Sequence, residues 1–277
     1  MNVQSTAAHV HSAEEPIVIQ QRIGAVAIVT LNRAQTRNSL SDALLTKLTE
    51  TFSAIGKDTA IRVVVLAANG PAFCAGHDLK EITARRADPD WGLHFYTELL
   101  NSCSALMQTI INLPQAVIAA VQGPASAAGC QLVASCDLAV ASSAATFCTP
   151  GVDIGLFCST PMVALSRNVA PKHAMEMLLT GTPISADEAL RIGLINRVVE
   201  PGREHTVAID LANHIASKSG HALKVGKAAF YRQREMNLSD AYRYASEVMV
   251  QNMLAADSNE GICAFLEKRP PKWPGQG

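Results

Sequence analysis

The sequence predicts an α/β core with a largely parallel sheet, followed by an attached helical region. Three observations predict it. Strand-length apolar runs alternate with amphipathic helix-length segments as far as Ala141, the pattern of strand–helix–strand units. Two of those strands, at residues 62–66 and 117–121, run directly into turns rich in glycine and other small residues. Beyond Pro161 the pattern is almost entirely helical. No Gly/Ser-rich linker divides the two parts, so they are read as attached rather than independent. The expected organisation is a disordered tail at 1–15, an α/β core at 16–200 and a helical region at 201–277.

Each element has its own signal. Residues 17–21 and 25–31 are apolar or alternating around Gly24 and read as a β-hairpin. Leu44, Leu45, Leu48, Phe52 and Ile55 recur at helical spacing, with Ser41 placed to cap that helix. After the strand at 62–66, a long amphipathic helix is expected over 91–113, carrying Leu93, Tyr96, Leu100, Met107 and Ile110 and stopped by Pro114. A strand at 137–141 follows. Helices are expected at 162–168, 172–179, 186–192, 205–217 and 223–235, with a short strand at 195–199. The stretch 241–268 reads as largely helical, with Met249, Val250, Met253 and Leu254 on one apolar face.

Composition excludes several function classes. Hydrophobic residues make up 48% of 277, ample for a core. A net charge of −1 gives no electrostatic reason to expect nucleic acid or a membrane surface as partner. No apolar run reaches the length of a membrane span. Seven cysteines, an odd number without a CxxC pair, read as buried free thiols of a reducing compartment. Cys74-Ala75-Gly76-His77 has a zinc-like spacing but no second ligand pair, so no metal is expected. The first fifteen residues lack Arg and Lys and contain Glu14 and Glu15, which fits neither a signal peptide nor a basic transit peptide. A cytoplasmic location is the expectation.

The chemistry is concentrated in the two turns. The first is Gly70-Pro71-Ala72-Phe73-Cys74-Ala75-Gly76-His77-Asp78-Leu79-Lys80-Glu81, and the second is Gly123-Pro124-Ala125-Ser126-Ala127-Ala128-Gly129-Cys130-Gln131. Small residues let a backbone turn sharply and present its N–H groups, and two such donors make a two-pronged oxyanion hole. No G-x-S-x-G elbow, P-loop or dinucleotide-binding glycine fingerprint is present.

Together with Leu31-Asn32-Arg33 and Asn38-Ser39-Leu40 upstream, these segments resemble the crotonase (enoyl-CoA hydratase/isomerase) family, over about residues 17–274. The resemblance is closest to the enoyl-CoA-hydratase-domain-containing branch. It implies a spiral of β-β-α turns with a helical C-terminal region that forms a homotrimer or a dimer of trimers. It implies an acyl-CoA thioester as substrate, with CoA as part of that substrate and no separate cofactor. The oxyanion donors would be the backbone N–H groups of His77 and Ala128. The CoA moiety would lie along Arg37, Asn38, Ser39, His77, Asp78, Leu79 and Lys80, with Lys268 reaching its phosphates, often from a neighbouring subunit.

The sequence departs from the family pattern where water would be split. Hydratases of the family place glutamates two residues after a glycine triplet and directly after a proline. Here the triplet is Ala127-Ala128-Gly129, and the two glutamate positions hold Gln131 and Gly151. An amide holds a water but does not shuttle its proton, and glycine does neither. Asp153 is a weak candidate base, returned to the same face if the segment is a strand. It reads more readily as a turn or capping carboxylate. His77 has a suitable pKa range for a base, with its side chain expected to face solvent. Asp78 reads as a carboxylate that holds the turn. The activity implied is nominally enoyl-CoA hydration, with efficient turnover not expected. The alternatives are another enolate reaction, isomerisation or thioester cleavage with a different base, and acyl-CoA binding without catalysis.

Overall fold

The computed structural model describes residues 15–274, and the tail expected at 1–15 lies almost wholly outside them. The main sheet has six strands, named here from one edge to the other. β1 (Val18–Ile23) and β2 (Val26–Leu31) form the antiparallel hairpin, turned at Gly24 with φ +57°. β3 (Val63–Ala68), β4 (Ala116–Val121), β6 (Leu138–Ser142) and β9 (Arg197–Val199) then add in parallel. β3 and β4 are buried on both faces, which is why they read as continuous apolar runs rather than alternating ones.

Helices cover both faces. α1 (Asp42–Lys57) starts where expected, its first turn capped by Ser41, whose Oγ accepts from Leu44 N–H at 3.3 Å. It packs with α3 (Leu93–Asn112) over one face, around Leu44, Leu48, Phe52, Leu106 and Ile110. The start of α3 is set by Asp90, whose carboxylate accepts from the N–H groups of Gly92 and His94 at 3.0 and 2.9 Å. Trp91 is left outside the helix and exposed. On the other face lies α8 (Glu204–Ala216), with Ala208 and Ala212 fully buried against Val63, Val65 and Ala120. Small side chains let this helix approach the strands closely.

A second sheet was not legible in the sequence. It joins β5 (Ala125–Ser126), β7 (Thr146–Cys148) and β8 (Ile184–Ser185), strands of two or three residues, too short for periodicity to mark. It holds α4 (Ala128–Ser135), whose eight residues are all buried, at the end of β4. α5 (Ser159–Asn168), α6 (Pro171–Thr180) and α7 (Ala186–Arg191) follow at or near the expected positions.

α9 (Gly220–Gln233) is fastened to the lower edge of the sheet by one lysine. Lys227 Nζ donates to Asp137 at 2.7 Å and to the Ile110 and Gln115 carbonyls at 3.0 and 2.9 Å. Burial lowers its pKa, and the Asp137 charge opposes that. Tyr231 Oη donates to the other Asp137 oxygen at 2.9 Å, so neither charge is left uncompensated. α10 (Leu238–Met253) buries no residue at all, and α11 (Ala256–Leu266) buries only Ala264. Met249, Val250, Met253, Leu254, Phe265 and Leu266 are all exposed there. All seven cysteines are free, and six are buried. Among the described residues no helix is long and apolar enough to cross a membrane.

Candidate active site

The two turns meet at the C-terminal ends of β3 and β4. Phe73 and Cys74 N–H groups donate to Pro124 O at 3.0 and 3.3 Å, and Ser126 N–H donates back to Cys74 O at 2.9 Å. Glycines allow the approach. Gly76 has φ +92°, and a Cβ there would meet Ala127 Cβ at 2.9 Å and the Ala128 nitrogen at 3.4 Å. A Cβ on Gly129 would lie 2.1 Å from Cys74 O. The turns are therefore in van der Waals contact, with backbone of one against backbone of the other.

The bonding pattern leaves the two expected donors free. Leu40 N–H donates to Gly76 O and Asp78 N–H to Leu40 O, on either side of His77. Among the described residues nothing accepts from the His77 N–H. Ala127 N–H is taken by Cys148 O at 2.9 Å, whereas Ala128 opens α4 and so has no acceptor within its helix. The end of a helix adds partial positive charge at the same point. This arrangement can hold one anionic oxygen between two turns.

The neighbours of the first turn position it. Asn38 is fully buried with φ +53°, and its Nδ2 donates to Asn69 O and Ala72 O at 2.9 Å each. Its Oδ1 accepts from Arg33 N–H at 2.8 Å. These bonds fix the turn and use both Nδ2 hydrogens of Asn38. The Asp78 carboxylate accepts from Lys80 and Glu81 N–H groups and from Ser39 Oγ, capping α2 (Leu79–Ala84). Ser39 is buried in that contact, while Arg37, Leu79 and Lys80 are exposed beside it. Gln122 was not singled out by its sequence, yet its Nε2 donates to Gly70 O and Ala72 O at 3.1 and 3.0 Å. Nothing in its own neighbourhood marks it, because its partners come from the other turn.

Two expectations about side chains are corrected, and one backbone conformation is unusual. His77 does not face solvent. Its ring is largely buried, with Nδ1 3.4 Å from Leu40 O and Nε2 buried without a partner. Burial pushes its pKa below the ordinary histidine value. Asp153 is not on a strand. Pro150 starts a 3-10 turn, Pro150–Ile154, and leaves Asp153 exposed. Ala127 is not in a conformation suited to alanine. It has φ +50° and ψ −116°, a region that glycine occupies without strain.

The two glutamate positions differ in kind. Gln131 is buried on α4, with Oε1 unpartnered. At Gly151 the space for a side chain is already filled. A Cβ there would sit 2.8 Å from Leu156 O and 2.9 Å from Cys158 Sγ. Cys158 Sγ accepts from the Gly151 N–H, and burial nevertheless raises its pKa, as it does for Cys148 and Cys130 close by. Lys268 is not brought to the turns within this chain. It is exposed just past α11, five residues before Trp273, which lines a cavity at the opposite, N-terminal edge of the sheet with Ala25, Ile61 and Gln115.

A family model described as enoyl-CoA hydratase/isomerase matches residues 21–276. The chain belongs to the enoyl-CoA hydratase/isomerase family. The resemblance to crotonases and the crotonase fold are thereby established. Over 245 residues this crotonase is 47% identical to rat enoyl-CoA hydratase domain-containing protein 3, mitochondrial, covering 88% of this chain and 80% of that one. A crystal structure of an enoyl-CoA hydratase from Mycobacterium smegmatis superposes with a TM-score of 0.89 at 49% identity, covering 94% of this chain and 99% of that one. That of human enoyl-CoA hydratase domain-containing protein 3 gives 0.88 at 43% identity, covering 93% and 100%. The expectation of a cytoplasmic location is overturned by the same relatives: the rat, frog, human and mouse proteins are all named mitochondrial.

Proposed function

We propose that this crotonase binds acyl-CoA thioesters, holds the thioester oxygen between the His77 and Ala128 N–H groups, and stabilises the enolate that develops there. The observation that carries this reading is the contact between the two turns, with both N–H groups left without acceptors. One such donor is worth about 2.7–4 kcal/mol in a transition state. Arg37 and Lys80, exposed beside the first turn, supply positive charge for the CoA phosphates. Lys268 serves the same end from a neighbouring subunit.

Hydration is slow in this reading. Gln131 can orient a water but not take its proton, and Gly151 has neither a side chain nor room for one. General acid–base catalysis contributes roughly 10²–10⁴-fold, and that part is missing. The packing at Gly151 favours a second reading, acyl-CoA binding without turnover. Calorimetric titration with crotonyl-CoA tests the first part, with saturable binding on the order of −8 kcal/mol expected. No binding at millimolar ligand would sink it. A steady-state hydratase assay tests the second, and turnover in the ordinary enzyme range of about 1–10³ s⁻¹ would contradict slow hydration.

A homotrimer, or a dimer of trimers, is part of the proposal. The support is the set of large apolar side chains exposed on α10 and α11, among them Met249, Met253, Leu254 and Phe265, which a neighbouring subunit would cover. Light scattering reporting a monomer mass at micromolar concentration would remove this element.

A further inference from the structure

A cavity of about 680 Å³ opens one turn of α4 beyond Ala128. This volume is in the range of small-molecule sites. Gln131 stands in its wall, 4% exposed, with Oε1 buried and lacking a hydrogen-bond partner. Successive turns of an α-helix are about 5 Å apart, so a thioester held at the Ala128 N–H would have this cavity within reach of its acyl chain. Met107, Ile111, Val163 and Ala164 provide apolar wall.

The charge lining the cavity is not balanced. Arg167, Arg232 and Arg234 line it against a single carboxylate, Glu235, in a chain whose net charge is −1. Glu235 is engaged by Arg167 Nε at 3.4 Å. The Arg234 guanidinium donates to Arg167 O, and Arg232 lies over the Tyr244 ring at 4.6 Å. Two positive charges therefore remain without an acidic partner among the lining residues. At the inner wall, position 131 carries an amide where the family pattern has a carboxylate, so the negative charge that would repel an anion is absent.

We infer that this cavity takes acyl chains that end in a carboxylate, the monothioesters of dicarboxylic acids. The methylene chain lies along the apolar wall, the Gln131 amide hydrogen-bonds a polar atom near the thioester, and the terminal carboxylate meets the arginine rim. The inference rests on the acyl-CoA reading above and narrows it to one substrate class.

The test is calorimetric titration of the full chain with adipoyl-CoA and with hexanoyl-CoA, which differ in the terminal carboxylate alone. Adipoyl-CoA is expected to bind about tenfold more tightly, the size of a charge-assisted hydrogen bond at a partly exposed rim. In the double variant Arg232→Gln, Arg234→Gln, which removes the two charges without an acidic partner, the ratio of affinities is expected to fall to near one, with hexanoyl-CoA still bound as proof of an intact site. Equal affinities in the wild type overturn the inference and leave the acyl-CoA reading standing. So does a preference that survives in the double variant. Failure of both thioesters to bind the wild type overturns both.

Discussion

The two turns of the candidate site each present a free N–H group, but with different backbone chemistry. In the first, positive φ at the apex falls on Gly76, where it costs little. In the second, positive φ falls on Ala127, where it stores roughly 1–3 kcal/mol of strain. The first is held by groups whose hydrogen bonds are spent on backbone, Asn38, Gln122 and Asp78. The second leads into α4 and the buried Gln131, whose Oε1 has no partner. Both turns present a free N–H group, at His77 and at Ala128, whereas neither Gln131 at the end of the second turn nor Gly151 beyond β7 carries a carboxylate. Under the proposed function, polarising a carbonyl and splitting water would be separable within one fold.

The largest effect should come from breaking the contact between the turns. Gly129→Ala places a methyl 2.1 Å from Cys74 O, with backbone on both sides and little freedom to yield. A loss of about 3 kcal/mol or more is expected, read by thermal denaturation, together with loss of crotonyl-CoA binding. Wild-type stability in this variant would mean that the turns do not touch as described.

Restoring the carboxylates tests the second turn alone. Gly151→Glu is expected to cost about 1–3 kcal/mol, because the new side chain meets Leu156 O and Cys158 Sγ. Adding Cys158→Ala should recover part of that cost by vacating the sulfur's space. Crotonyl-CoA hydration should rise only when Gln131→Glu is also present, since both groups act on one water. A double Gln131→Glu, Gly151→Glu variant as stable as wild type would contradict the account of the filled space.

A pair of glycine substitutions should give opposite signs. Ala127→Gly is expected to stabilise by about 1 kcal/mol, relief of strain outweighing the added unfolded-state freedom. Ala75→Gly, at a residue without positive φ in the first turn, should destabilise by about 0.5–1 kcal/mol. Equal signs in chemical denaturation would erase the contrast between the turns.

The smallest effect is a pH dependence. The folded-state pKa of His77 lies below its unfolded value of about 6.5, so the unfolded chain binds more protons in that window. The stabilisation is full above about pH 6.5 and is lost as pH falls through the folded-state pKa. His77→Gln should flatten that part of the stability–pH curve relative to wild type. An unchanged curve would mean that the ring is solvated.

The sequence by itself determined the α/β class, the hairpin at Gly24, the capped helix after Ser41, the strands entering each turn and most of the later helices. These features depend on neighbours a few residues away: period, capping and turn chemistry act locally. It also located the two turns that meet at the candidate site, because family order and spacing survive as a linear pattern. Tertiary structure alone decided the rest. The strain at Ala127 arises from joining β5 to β7 and α4, and nothing in Ala-Ala-Gly announces it. The filled space at Gly151 depends on the chain folding back through Leu156 and Cys158. The burial of His77 depends on Leu40, which lies in another part of the sequence. Each of these is set by atoms that become neighbours only after folding, at distances where tenths of an ångström decide whether a side chain fits.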